Sequence, residues 1–257
     1  MGKVRDFLNG APKPVSVLWD TGCRRATRQG EIIATHQGAV KKTEERTQMS
    51  QEVMWSNRYR EAGEAYLFGT EPNRFLAHRV ELLQDGSTAL SVADGEGRNS
   101  VWLAHQGLEV TAIEISAVAV EKARRLAKGQ QVEVNFLQAD MLAPAWPPVE
   151  LHNAFDWVVG IFIQFVGPEW RERQFDVMKQ LTRPGGRILL QGYTPKQLEY
   201  KTGGPSAVEN LYTEEILRDA FAGWDIEELV EYEEDVAEGS AHKGRSALIG
   251  LVARKPA

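Results

Sequence analysis

The residues best equipped for chemistry gather around one turn. In Ala89-Leu-Ser-Val-Ala-Asp-Gly-Glu-Gly-Arg-Asn99 an apolar run ends at Ala93, and Gly95 and Gly97 follow at once. Glycines in such a turn let a ligand approach the backbone closely. Glu114 closes the next apolar run, Val110–Ile113. A carboxylate there can accept hydrogen bonds from the two hydroxyls of a ribose. Asp140 follows a third run, and His242 and Arg245 straddle Gly244 near the end of the chain. That pair could hold an anion and orient or accept a proton. His78, His105 and His152 have no partners at metal-ligand spacing, and no Ser-His-Asp arrangement stands out.

These residues need a scaffold, and the alternation of patterns describes it. Strands are expected at Thr88–Ala93, Val110–Ile113, Val132–Leu137, Phe155–Phe165 (running into a loop) and Arg187–Gln191. Between them helical spacing covers Asn99–His105, Ala117–Ala127 and Pro168–Leu181, the last stopped by Arg183-Pro184-Gly185-Gly186. Pro72 suits the first turn of a helix through Phe75, Leu76 and Leu83 that ends near Gly86, and Thr213 suits the N-cap of a helix to Phe221. Ile226–Val236 and Ala247–Ala253 flank Glu238-Gly239-Ser240, which reads as a hairpin turn. Strands alternating with helices predict an α/β fold, a mostly parallel sheet with helices on both faces, ended by an antiparallel pair. In such a sheet the turn after the first strand lies at the carboxyl edge, where ligands bind. Asp156, at the opposite edge, is expected to be structural.

Composition narrows the ligand. The chain has 257 residues, 42% hydrophobic and 26% charged, with a formal net charge of -6. Those values fit a globular protein and exclude a disordered chain or a fibre. No run reaches the roughly 18 apolar residues of a spanning helix. The single Cys23 makes no internal disulfide, which suggests a reducing, cytoplasmic setting. Residues 1–48 carry nine Lys+Arg against five Asp+Glu, and no apolar period is sustained there beyond the island Val15–Trp19. This segment is expected to be a loosely ordered leader ahead of a domain at 49–257. The domain is acidic, an unfavourable start for a nucleic-acid phosphate backbone, and a small-molecule site is expected instead. Both a dinucleotide and S-adenosylmethionine offer ribose hydroxyls. A pyrophosphate tolerates nearby acids badly, yet Asp94 and Glu96 flank Gly95, and Ser100 stands where G-x-G-x-x-G needs its third glycine. A sulfonium cofactor carries positive charge and no phosphate, so S-adenosylmethionine fits better.

Val92–Asn99 with Val110–Ser116 resembles the class I S-adenosylmethionine-dependent methyltransferases. Tyr66 with Gly69-Thr70-Glu71-Pro72-Asn73, Ala139-Asp140, Leu181-Thr-Arg-Pro-Gly-Gly186 and Thr202-Gly-Gly-Pro205 follow in the expected order. Together they are similar to the small-molecule branch around the tellurite-resistance and thiopurine methyltransferases. The resemblance implies a seven-stranded Rossmann-like sheet. It implies a cofactor lying across Ala93, Asp94, Gly95, Gly97 and Arg98, its ribose on Glu114 beside Ile115. The adenine would lie near Asp140 and Met141, with Tyr66 and Asn73 covering the site and Gly160 at the methyl-transfer pocket. Two departures stand on the first strand, where Ser91 and Ala93 occupy the places of an acid and a glycine. Asp94 is expected to supply the missing acceptor. The expected reaction is methyl transfer to a small soft or anionic nucleophile, a thiol or a chalcogen oxyanion, with Arg245 and Arg98 holding the anion and His242 orienting it. A nicotinamide-dependent oxidoreductase, or a binder of the cofactor without turnover, are the alternatives on the same sheet. Trp55 and Tyr59 are expected to form a packing cluster, and 201–205 a loop at the ligand edge that can serve as a lid.

Overall fold

A computed structural model describes residues 51–257. The expected leader at 1–48, with Val15–Trp19, lies outside the described residues. Seven strands, β1 (Thr88–Val92), β2 (Glu109–Glu114), β3 (Asn135–Gln138), β4 (Phe155–Ile161), β5 (Thr182–Tyr193), β6 (Asp225–Glu238) and β7 (His242–Arg254), form one sheet in the order β3-β2-β1-β4-β5-β7-β6. β1 to β5 run parallel, and β7 is antiparallel to both β5 and β6. The parallel strands are near-continuous apolar runs because helices cover both faces. Leu90, Val158, Ile188 and Leu251 meet Phe175, Met178 and Leu181 of the helix Pro168–Leu181 in one buried cluster. Ala89, Trp157, Leu189 and Val252 meet Phe75, Leu76 and Leu103 in another. The order reverses between β1 and β4, so a crevice opens beyond their carboxyl ends.

The hairpin strands are longer than their apolar runs, because pairing continues through polar residues to Glu238↔His242. Eight acids along β6 (Asp225, Glu227, Glu228, Glu231, Glu233, Glu234, Asp235 and Glu238) discourage a further strand from adding to that edge. The hairpin tip is anchored. Gly239 has φ +65°, and a Cβ there would stand 2.4 Å from Leu67 O and 2.5 Å from Gly69 N. Ser240 N–H donates to Leu67 O at 3.0 Å. The motif around Gly69 therefore docks the hairpin and carries Glu238 and His242 back to the crevice.

The helix expected from Pro72 is a correction. It starts one residue past Asn73, whose side chain accepts from Leu76 N–H, and spans only Arg74–Ala77 before a 3₁₀ turn at Val80–Leu82. Pro72 precedes the cap instead of opening the first turn. Among the described residues no helix is long and apolar enough to cross a membrane.

Candidate functional site

A cavity of about 570 Å³ occupies the crevice, within the usual size of small-molecule sites. It runs from Glu114, Asp140 and Met141 to Phe162, Tyr193 and His242. Helical residues 51–61 roof it: Ser56 Oγ lies 2.8 Å from Ser116 Oγ on the β2 side, and Gln51 Nε2 donates to Phe165 O at 3.3 Å on the β4 side. Trp55 and Tyr59 stack at 6.0 Å and both line the cavity, so they serve it as well as packing the helix.

The floor is the glycine turn. Gly95 has φ +63°, a backbone conformation that L side chains rarely adopt, and its N–H donates to Glu114 Oε2 at 3.0 Å. Ser116 N–H donates to Oε1 at 2.9 Å. Each carboxylate oxygen thus commits one lone pair to the backbone and keeps another for a diol. Ala93, in a glycine's place, takes the left-handed φ of +47°. The other departures act together: Ser91 Oγ donates to Asp94 Oδ1 at 2.7 Å and Ser100 Oγ to Oδ2 at 2.5 Å. The serine on β1 and the serine replacing the third glycine hold Asp94 at the cavity wall. Asp140 accepts Leu142 N–H at 2.8 Å and lines the cavity with Met141 and Ile115.

Burial pushes the Glu114 carboxyl up, to about 7, despite the N–H donors of Ser116 and Gly95, and the neighbouring Asp94 adds to the rise. Burial raises Asp94 as well, against the two serines. A ligand whose hydroxyls donate to Glu114 favours its ionised form. Affinity for S-adenosylmethionine is therefore expected to rise between pH 5.5 and 8, by up to about tenfold per unit below pH 7. Stability of the free protein has the opposite sign. A carboxyl raised on folding contributes stability fully present below its unfolded pKa of about 4.3, lost as pH rises through 7. Isothermal titration calorimetry across that range checks the first statement, and Glu114→Gln should flatten the curve.

Five expected site residues do not line the cavity. The Tyr66 hydroxyl donates to Lys122 O at 3.2 Å, beside a separate apolar cluster. Asn73 is buried and donates to Gln191 Oε1 at 2.6 Å and Glu238 Oε1 at 2.9 Å. A Cβ on Gly97 would meet Ala123 Cβ at 2.8 Å, so this glycine lets two helices touch. Gly160, on β4, makes room for the side chains of Ile163 and Met178, which a Cβ would meet at 2.9 and 3.0 Å. Arg245 is half exposed and bonds Glu233 at 3.1 Å. Residues 242 and 245 sit at odd separation on β7, so their side chains leave opposite faces of the sheet. Glu96 is also turned away, paired with Lys122 at 2.5 Å, so its charge says nothing about phosphate at the cavity.

The opposite end of the cavity, around Phe162, Tyr193 and His242, is built by residues remote from one another in sequence. Arg98 donates from Nη2 to Glu238 Oε2 at 2.6 Å. Burial would push Glu238 up, but the adjacent His242 ring and Arg98 guanidinium outweigh it and hold the carboxyl at about 2. Gln164 spans the loop after β4, accepting Tyr193 N–H at 2.6 Å and donating to Tyr193 O and Asn210 O. Phe162, at φ +56°, stacks on Tyr193 at 4.6 Å. Gly203, Gly204 and Pro205 close over this end, where a Cβ on Gly204 would stand 2.7 Å from the Tyr193 ring. The position of Gly204 against an aromatic ring was the one local signal of this arrangement, visible only as a Gly-Gly-Pro run.

Comparison with known proteins bears on the fold that carries this site. Residues 89–186 match the family described as "Methyltransferase domain". A 23S rRNA (uracil(747)-C(5))-methyltransferase of Pyrococcus horikoshii is 36% identical over 63 residues, which are 24% of this chain and 15% of that protein. The chain thus spans a small part of that relative's length. A solved structure from work on conversion of a disulfide bond into a thioacetal group during echinomycin biosynthesis superposes with TM-score 0.66 at 18% identity, over 80% of this chain and 91% of the other. Magnesium protoporphyrin IX methyltransferase from Synechocystis PCC 6803, solved with bound S-adenosylhomocysteine, gives TM-score 0.52 at 20% identity over 70% and 79%. Family match and fold agree: residues 89–186 carry a methyltransferase-domain pattern, and they lie on a Rossmann-like sheet.

Proposed function

We propose that the protein transfers the methyl group of S-adenosylmethionine to a small molecule bearing a soft nucleophile, with residues 49–257 as the catalytic unit and the cytoplasm as its setting. The observation carrying this reading is a single cavity with two chemically distinct ends. One end presents the Glu114 and Asp140 carboxylates for a nucleoside. The other is walled by Trp55, Phe68, Phe162 and Phe165 around His242. When bound, the cofactor supplies an electrophilic methyl carbon on a sulfonium. Glu114 would hold the ribose and Asp140 the adenine amino group, while the roof of residues 51–61 and the 203–205 loop exclude water. Alignment and desolvation then lower much of the barrier.

Between the two acceptor classes the aromatic wall favours a thiol over an oxyanion. Arg245 faces the other side and Arg98 is paired with Glu238, which leaves Arg58, set over the Trp55 ring at 4.7 Å, as the cation on the roof of the cavity. The echinomycin-related structure also concerns sulfur chemistry, in that protein. A place in the tellurite-resistance and thiopurine branch stays part of this proposal. The oxidoreductase alternative is disfavoured by the antiparallel β7, since dinucleotide-binding sheets are wound parallel in the order 3-2-1-4-5-6.

Calorimetry with S-adenosylmethionine, S-adenosylhomocysteine and NADH, followed by turnover on a panel of thiols, oxyanions and RNA, tests this reading. Binding of the first two ligands and methylation of a thiol are expected; binding of NADH alone, or efficient RNA methylation, would overturn it. Arg245→Ala is expected to leave cofactor affinity and kcat/KM for the best thiol within about twofold, because its guanidinium bonds Glu233, outside the cavity. A selective rise in KM would return Arg245 to the acceptor site.

A further inference from the structure

Four polar groups meet under the acceptor end, and the proposed function uses them only in part. Glu238, at the end of β6, is fixed from two sides: Asn73 Nδ2 donates to Oε1 at 2.9 Å and Arg98 Nη2 to Oε2 at 2.6 Å. His242, the first residue of β7, stands directly across the hairpin from Glu238. Its side chain is only 12% exposed, and Nδ1 lies 3.8 Å from Glu238 Oε2. Three rings fix its plane, Phe68 at 4.7 Å, Phe162 at 4.6 Å and Tyr193 at 5.8 Å. The imidazole therefore has few orientations available.

Nδ1 is buried and has no other partner among the described residues. A buried N–H left without an acceptor costs about 1–3 kcal/mol, and a bare lone pair facing a carboxylate is worse. Closing the 3.8 Å gap by a small ring rotation gives Nδ1–H···Oε2 and satisfies the atom. Which ring nitrogen carries the proton follows from the bond the other makes. With Nδ1 protonated toward Glu238, the lone pair lies on Nε2, on the edge of the ring away from the carboxylate, and His242 lines the cavity.

We propose that Glu238 is a positioning residue that holds His242 as a neutral general base, with Nε2 directed at the acceptor, so that the protein methylates nucleophiles that still carry a proton, such as aliphatic thiols. This rests on the methyltransferase reading above. In the step, the acceptor sulfur gives its electron pair to the methyl carbon while its S–H proton passes to His242 Nε2. The sulfonium sulfur keeps the electron pair of the broken C–S bond and leaves as a neutral thioether. The imidazolium formed is stabilised by the Glu238 carboxylate and later loses its proton to water. Arg98 and Asn73 keep Glu238 in place and ionised, which frees it from taking the proton itself.

The charged and titratable groups around the imidazole are Glu238 on β6, Arg98 beside the glycine turn, Arg58 from the roof and Tyr193 on β5. Burial holds the imidazole below its ordinary range, Arg98 and Arg58 lower it further, and Glu238 opposes them. The ring is thus neutral near pH 7 and able to act as a base.

Nitrogen-15 shifts of the histidine ring in the wild-type protein test the geometry without any acceptor. Free neutral imidazole carries its proton mostly on Nε2, so an Nδ1–H tautomer for His242 is the expected result, and an Nε2–H tautomer overturns the proposal. Glu238→Gln should lower the imidazole pKa by about one unit or more, a tenfold change in proton affinity, with Glu238→Asp between it and wild type. Kinetics supply the second arm. The ratio of kcat for 2-mercaptoethanol, protonated at neutral pH, to kcat for 4-nitrothiophenol, already ionised, should fall at least tenfold in Glu238→Gln and in His242→Ala. Equal losses on both thiols would mean a structural role and overturn the base. If Glu238→Gln fails to fold, the wild-type tautomer and His242→Ala still decide. Calorimetric binding of S-adenosylmethionine to wild type reports separately on the methyltransferase reading, so the two can fail independently.

Discussion

Glu114→Ala is expected to weaken S-adenosylmethionine binding tenfold or more. One ionised carboxylate bonded to two ribose hydroxyls is worth about 1.5–3 kcal/mol, and the substitution removes both bonds together. The variant should fold. It deletes a carboxylate whose burial opposes ionisation, and of the two N–H groups it releases, that of Gly95 borders the cavity while that of Ser116 lies next to Ile115 on its wall. Calorimetry at pH 8, where the wild-type carboxylate is ionised, gives the full effect. At pH 5.5 the gap between variant and wild type should narrow, since protonation has already removed one acceptor. Wild-type affinity in Glu114→Ala would put the nucleoside elsewhere in the cavity.

Lys122→Met is expected to cost about 3–5 kcal/mol of stability, the largest effect of any single change considered. Lys122 and Glu96 pair at 2.5 Å with side chains 2% exposed each. Lys122 Nζ also donates to Ala65 O at 2.7 Å, and Glu96 Oε2 accepts Leu67 N–H at 2.7 Å. This pair ties the segment before β1 to the glycine turn and to the helix Ala117–Gly129. Breaking it strands a buried carboxylate. For a domain of this size the loss corresponds to a fall in Tm of roughly 6–20 °C. Thermal and urea denaturation measure it. Glu96→Leu combined with Lys122→Met should recover much of the loss, because the pair together gains little over apolar residues of similar size. A single-variant loss under 1 kcal/mol would mean that water reaches the pair.

The fold was legible because its signals are local and redundant. Each parallel strand is a buried apolar run bounded by turn residues, and each covering helix repeats its apolar residues at helical spacing. Thr213 caps its helix as expected, accepting from Ile216 N–H. The helix after Pro72 was misjudged because its length depends on tertiary contacts. Asn73 caps it at one end, and Arg79 turns its guanidinium toward Glu228 on β6 at the other. No periodicity records either event.

The site was legible in proportion to how close its parts lie in the chain. Asp94, Gly95, Glu114 and Asp140 follow strand ends, and strand order alone sends them to one edge of the sheet. The sequence by itself therefore determined the Rossmann-like sheet and the edge of it at which Asp94, Gly95, Glu114 and Asp140 gather. Only the tertiary structure decided the opposite end of the cavity. Asn73, Arg98 and the hairpin pair Glu238 and His242 come from three separate segments, and their meeting depends on the hairpin tip docking at Gly69. The parity of β7 sends His242 toward the cavity and Arg245 away from it, and that parity follows from register against β6 and β5. Glycines divide in the same manner: Gly95 shapes the floor, while Gly97 and Gly160 only make room for neighbours. A residue type states which conformations and bonds are possible. Which of them is used depends on neighbours that are remote in sequence, and packing alone brings those together.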